Sequence, residues 1–165
     1  MNNIFPKTSV RRNSHGQGLF LDEFVRKGQP VLRQRGQLVH GLDDFTGDID
    51  DLTQIGKNLW ISSSYEEDDF LNHSCDPNVY QVMDETGATD YALRDIAPGE
   101  EITFDYSLAM TPESIVMFPK LRFFCKCKSK ICRGIVGDVT EIPKERREYY
   151  QSLGIVPDYI QKYIK

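Results

Sequence analysis

Four cysteines constrain this chain more than any other feature. Three stand close together in FFCKCKSKICRG, as Cys125, Cys127 and Cys132, and the fourth, Cys75, lies about 50 residues earlier. Structural zinc takes four thiolate or imidazole ligands in a tetrahedron. A C-x-C-x4-C cluster offers three on one short loop and leaves a vacancy that Cys75 can fill. Lys126, Lys128, Lys130 and Arg133 stand where they would offset the thiolate charge. Free thiols, or two disulfides in one of three pairings, are the other readings. A zinc site would clip the tail to the middle of the chain, closing a long loop and tying the order of the tail to the metal.

Cys75 sits in FLNHSCDPN, Phe70 to Asn78. Asp76, Pro77 and Asn78 are turn formers. Leu59 to Ile61 upstream and Val79 to Met83 downstream read as strands, so the motif is a loop between strands, where binding residues concentrate. Further strands are expected at Leu19–Leu21, Pro30–Leu32, Tyr91–Arg94 and Ile102–Phe104, with an edge strand or arm before residue 13. Lys27-Gly28, DETGAT (84–89) and Ala97–Glu100 read as turns, and 41–58 as an acidic excursion with one helical turn. Many short strands separated by turns indicate a mainly β domain. Short helices are expected over 111–118, over Pro143–Leu153 with Gly154 just past its end, and over Pro157–Lys165, where Tyr159, Ile160, Tyr163 and Ile164 recur at helical spacing.

With 165 residues, one domain with a proper core is expected. The opening MNNIFPKTSVRR has no apolar signal-peptide core, and no run approaches a membrane span. The expectation is an intracellular protein, cytoplasmic or nuclear, without a membrane partner, in which thiols stay reduced. A net charge of −5 argues against direct nucleic-acid binding. Acids cluster at Asp43–Asp51 and Glu66–Asp69. These are either solvated loops or a surface for a basic peptide.

HGQGLF near the start, FLNHSCDPN in the middle, GEEITFDY after it and the cysteine tail, in that order and spacing, closely resemble the SET-domain protein lysine methyltransferases over roughly residues 8 to 135. The resemblance implies a SET fold, small curved β-sheets around a knot-like crossing. The segment near Tyr106 would pass under the loop from Asn72 to Cys75. The implied division is a SET domain over 1–120, a post-SET zinc segment over 121–137 and a helical extension over 138–165. By the same resemblance, S-adenosylmethionine would lie against Gly16, Gln17, Gly18 and Leu19 and the Asn72-His73 pair, with Phe70 nearby. Tyr106 would be the catalytic tyrosine. Phe104 would set how many methyl groups are added, here two or three. Zn²⁺ would be structural, held by Cys75, Cys125, Cys127 and Cys132. The substrate would be a lysine in a basic protein segment such as a histone tail, or in a non-histone protein. An inactive peptide-binding module is the rival class. The chain departs from the family in having Asp69 where many relatives carry a base and Lys128 where relatives often have Gly, and it lacks a cysteine-rich segment ahead of the domain.

Overall fold

A computed structural model describes residues 4–14, 16–42, 45–49 and 52–164. His15 and the acidic Asp43, Asp44, Asp50 and Asp51 lie outside them. Among the described residues, five small sheets make up the body. The first is a hairpin of β1 (Thr8–Asn13) and β2 (Gly16–Leu21), paired from Thr8–Leu21 to Asn13–Gly16. The second is a three-stranded sheet in the order β3 (Pro30–Arg33), β9 (Gly87–Ala92), β8 (Val79–Asp84), and the third has the order β4 (Leu38–His40), β6 (Leu59–Ser62), β5 (Leu52–Gly56). Alternation is clear in the second of these sheets. In β8, Val79 and Gln81 face inward while Val82 is exposed.

Two expected boundaries move. The turn after β8 is only Glu85-Thr86, because Asp84 already pairs with Gly87, and the second strand therefore starts at Gly87 rather than Tyr91. The excursion over 41–58 contains β5, whose polar LTQIG pattern hid a strand that buries Leu52, Gln54 and Ile55.

The fourth sheet positions the site. β7 (Asn72–His73) and β10 (Thr103–Phe104) run parallel, pairing Thr103 with Asn72 and Phe104 with His73. Ser74 N–H donates to Phe104 O at 3.0 Å and Asn78 N–H to Thr103 O at 3.1 Å, so the later segment lies along the whole central loop. Asn78 does more than turn the chain. Its Nδ2 donates to Glu101 O and its Oδ1 accepts from Thr103 N, both at 2.8 Å. Beyond the sheet, α1 (Pro112–Met117) starts from a reciprocal Thr111–Ser114 capping box. The fifth sheet, β11 (Phe123–Phe124) with β12 (Ile135–Val136), is a short hairpin that holds the cysteine loop.

The chain closes with α2 (Lys144–Ser152), which ends before Gly154, and the single turn α3 (Asp158–Gln161). These are not appendages. Tyr150, Ile160 and Ile164 join Leu19, Leu21, Val79, Ile102 and Phe104 in one buried core. A smaller cluster under β5 and β6 holds Ile49, Leu52 and Trp60, with Phe118 against it. Among the described residues no helix is long and apolar enough to cross a membrane.

Candidate active site and cysteine cluster

The expected residues meet through a chain of side-chain contacts. Asn72 Nδ2 donates to Gln17 O and to Glu101 Oε1, both at 2.7 Å, and Asn13 Nδ2 donates to the same Oε1 at 2.6 Å. This cluster explains Gly18. A Cβ there would stand 2.2 Å from Glu101 Oε1 and under 3 Å from both asparagine amides. A side chain at position 18 would displace this hydrogen-bonded cluster. Gly16 is different: its φ of +136° suits glycine, and the space beyond it is open. Gly16 and Gln17 are exposed, whereas the Leu19 side chain is fully buried in the core. Phe70 ends the 3₁₀ turn Glu67–Phe70 and packs half-buried on the main core. Glu101, which joins Asn13, Gly18 and Asn72, has no role legible from the sequence beyond its place in GEEITFDY.

His73 links this edge to the next segment. Its Nδ1 accepts the Tyr106 backbone N–H at 3.2 Å, so the ring hydrogen of the neutral form sits on Nε2, which lies 3.4 Å from Cys75 Sγ. Burial, opposed by Asp105, lowers His73 to about 4, and the ring stays neutral. Tyr106 does not continue a strand. β10 ends at Phe104, Asp105 turns the chain, and Tyr106 opens a 3₁₀ turn, Tyr106–Ala109. Phe104 and Tyr106 nevertheless line one cavity of about 370 Å³, together with Leu71, Trp60 and Phe123. The Tyr106 hydroxyl donates to Leu71 O at 2.5 Å. Burial, then the Glu101 charge, raises its pKa, so the hydroxyl keeps its proton.

The acidic run Glu66–Asp69 is more structural than its composition suggests. Asp68 is buried and accepts Arg35 N and Ser64 Oγ, each at 2.7 Å. Asp69 accepts Tyr65 N–H at 2.6 Å, Ser64 N–H at 3.1 Å and the Ser63 hydroxyl. An acid at 69 therefore organises the loop in front of Phe70.

The four cysteine sulfurs lie within 4.8 Å of one another, with Cys75 and Cys125 3.6 Å apart. Four sulfurs around one zinc at about 2.3 Å would stand about 3.8 Å apart, so the set fits a tetrahedral thiolate site. Backbone N–H groups already point at it: Arg133 N donates to Cys75 Sγ at 3.3 Å and Cys127 N to Cys125 Sγ at 3.4 Å. The loop closes through β11 and β12 and through Cys125 N–H to Gly134 O at 2.9 Å. Within it Lys128 has φ +57°, the left-handed region that glycine occupies freely.

Sequence reasoning missed the group that joins the cluster to the site. Asp105, fully buried, accepts both arms of the Arg133 guanidinium, the Tyr150 hydroxyl at 3.0 Å and Ser107 N–H at 3.2 Å. Arg146, on α2, donates to Asp76 Oδ1 at 3.0 Å and lies over the Tyr149 and Tyr150 rings.

Comparison with known proteins follows the same layout. A family model described as "SET domain" matches residues 16–107. The trithorax histone-lysine N-methyltransferase of Drosophila virilis is 33% identical over 137 residues, covering 74% of this chain and 3% of its own length. Histone-lysine N-methyltransferase 2B of Homo sapiens is 29% identical over 133 residues, covering 72% of this chain and 5% of that protein. The chain thus spans a small fraction of these relatives. KRYPTONITE, solved with mCHH DNA, an H3(1-15) peptide and SAH, shares the fold with a TM-score of 0.64 at 21% identity, over 82% of this chain and 30% of that one. A match that runs from the Gly-x-Gly edge through the central loop to the turn after Tyr106 makes this chain a member of the SET-domain family.

Proposed function

We propose that this chain is an S-adenosylmethionine-dependent protein-lysine N-methyltransferase domain that di- or trimethylates a lysine in a basic protein segment, a histone tail in the first instance. One observation carries the reading. The Phe104 and Tyr106 side chains line a single cavity, and Tyr106 is tied through His73 and Asn72 to the exposed edge at Gly16 and Gln17. The relatives named histone-lysine N-methyltransferase, and the neighbour solved with an H3 peptide and SAH, support it.

The open space beyond Gly16 and the polar edge at Gln17 and Asn72 fit a nucleoside-bearing sulfonium. Gly16 and Gln17 would offer backbone to it, Gly18 and Leu19 would shape the edge from inside, and Phe70, Asn72 and His73 would close its other side. Bound there, S-adenosylmethionine supplies a methyl group on a cationic sulfur. The protein's own work is to deliver a neutral amine. Free lysine has a pKa of about 10.4. An aromatic channel disfavours the charged form, and alignment of the reacting atoms supplies much of the rate. The Tyr106 hydroxyl, its proton directed at Leu71 O, keeps its oxygen free to accept an amine N–H and hold the lone pair in line. Phe104 has no oxygen to restrain an amine that already carries a methyl group. Cys75, Cys125, Cys127 and Cys132 would hold a zinc whose part is structural, since four thiolates leave no open position.

Incubation with labelled S-adenosylmethionine and a histone mixture or cell lysate, followed by mass spectrometry, tests the reading. The expected products are di- and trimethyllysine. Calorimetry that finds no S-adenosylmethionine binding would replace the enzyme with a peptide-binding module.

A further inference from the structure

Most acids around Tyr106 and the Gly16–Asn72 edge have partners that account for them. Asp105 is locked to Arg133. Asp69 accepts two backbone N–H groups of its own loop. Glu100 takes the Arg94 guanidinium and the Ala97 N–H, each at 2.7 Å. Its neighbour Glu101 differs. The hydrogen bonds to the Glu101 carboxylate come from Asn13 and Asn72, both neutral amides, and both fall on Oε1. Among the described residues no lysine or arginine lies within ion-pair reach of it. The side chain is half-buried, so salt and water screen its charge only in part.

Its place is fixed from two sides. The backbone at Glu101 bridges to Phe20 on β2, and Ile102 N–H donates to Leu19 O at 2.7 Å. The Glu101 side chain therefore runs along β2 to the spot over Gly18 where a Cβ would stand. Asn72, which holds Oε1, also holds Gln17 O, so the carboxylate is one amide away from the exposed Gln17 edge. Its charge is felt at the other end of the site too: after burial, it is the influence that raises the Tyr106 hydroxyl. One unanswered anion thus acts on both the cofactor edge and Tyr106.

Methyl transfer changes the charge between those two ends. The C–S bond breaks, a C–N bond forms, and the sulfur keeps the electron pair of the broken bond. A cationic sulfonium becomes a neutral thioether, and the positive charge passes to the lysine nitrogen. Fresh and spent cofactor therefore differ by a methyl group and one positive charge. We propose that Glu101 is a specificity-determining residue that reads this charge, favouring S-adenosylmethionine over S-adenosylhomocysteine so that the spent cofactor gives way to the fresh one. Asn13 and Asn72 position the carboxylate without cancelling it, which a guanidinium or ammonium in their place would do. The proposal rests on the cofactor half of the methyl-transfer reading.

The zinc-loaded chain is titrated by calorimetry with S-adenosylmethionine, with S-adenosylhomocysteine and with sinefungin, which carries a charged amine in place of the methylsulfonium. Glu101→Gln keeps the shape of the side chain and an acceptor for both asparagines, and removes the charge. It should lower the ratio of S-adenosylmethionine to S-adenosylhomocysteine affinity by about tenfold, the scale of one charge-assisted contact, and sinefungin should weaken alongside S-adenosylmethionine. Glu101→Asp keeps the charge but shortens the reach, so it should weaken all three ligands and retain most of the ratio. A ratio taken within one variant is insensitive to loss of folded protein. Should Glu101→Gln fail to fold, the wild type supplies the same reading: added salt should lower its ratio. A ratio that Glu101→Gln leaves unchanged, that both variants lower alike, or that is flat in salt overturns the role of Glu101 even if lysine is methylated. The expected ratios without any methylated lysine leave that role standing and remove the methyltransferase. Binding of none of the three ligands removes both.

Discussion

The carboxylate of Asp105 grips the guanidinium of Arg133 with both oxygens, each at 2.7 Å, and the two side chains are 0% and 7% exposed. Arg133 follows the last cysteine and Asp105 precedes Tyr106, so this pair rivets the tail to the tyrosine. Removing one partner strands a buried charge, which costs about 3–5 kcal/mol. Arg133→Met should therefore lower the melting temperature by roughly 10 °C, given about 2–4 °C per kcal/mol at this size. Arg133→Lys should recover little of it, because an ammonium cannot make the fork. A melting curve for Arg133→Met that overlays the wild type would show the pair to be dispensable.

Purified protein should carry one zinc per chain. Stripping it should speed hydrogen exchange after residue 120 more than in β8 and β9, because the sulfurs of the tail would lose the ion that binds them to Cys75. Exchange that rises first in the strands would mean that the cysteines do not hold the tail.

Tyr106→Phe should lower methyl transfer by about 10²- to 10³-fold, with cofactor affinity within a few-fold. The ring packs edge-on to His73 and Phe123, and the substitution keeps it. If calorimetry instead found the whole loss in cofactor binding, Tyr106 would belong to the cofactor pocket.

Phe104→Tyr should shift products toward monomethyllysine, because a hydroxyl facing the cavity would hold the amine and crowd its methyl groups. The check is mass spectrometry at matched turnover. A wild-type product that stays monomethyl with excess cofactor would count against Phe104 as the product switch.

Lys128→Gly should stabilise the zinc-loaded domain by about 1 kcal/mol, the penalty that a side chain with a Cβ carries in the left-handed region. The substitution also removes the hydrogen bond from Lys128 Nζ to Ser14 Oγ, but at 3.2 Å on an exposed surface that bond adds little. Thermal unfolding at fixed zinc reads the change, and a lower melting temperature would mean that the lysine side chain contributes more than the backbone strain removes.

The parts of this molecule legible in its sequence are those written in contiguous strings. The cysteine spacing announced a four-sulfur cluster, and the resemblance carried by FLNHSCDPN and GEEITFDY announced that the two segments cross, though FLNHSCDPN read as a loop and its β7 pairing with β10 was not foreseen. Alternation and turn residues located β2, β3, β6 and β8. What stayed hidden depends on single side chains that meet across the chain. Glu101 and Asn13 fill the place of a Cβ at Gly18, and Asn78 clasps Glu101 and Thr103. Neither arrangement has a local signature. Phe104 and Tyr106 share a cavity because the chain turns at Asp105, which no local pattern announces. The strand β5 was missed because its inward positions include Gln54, a polar residue on a buried face.

The place of Tyr150, Ile160 and Ile164 in the main core has a consequence for how the molecule comes into being. A chain is made at about 5–20 residues per second, so residues 138 to 164 take roughly 1–5 s to follow the cysteine loop. During that interval Leu19, Val79 and Ile102 await the partners that cover them, and Asp105 awaits the Tyr150 hydroxyl. A chain without residues 138 to 164 would keep its four sulfurs but could not close its interior. A halt in synthesis at residue 137 would release a metal-binding species with an open apolar face, the kind of intermediate that chaperones retain.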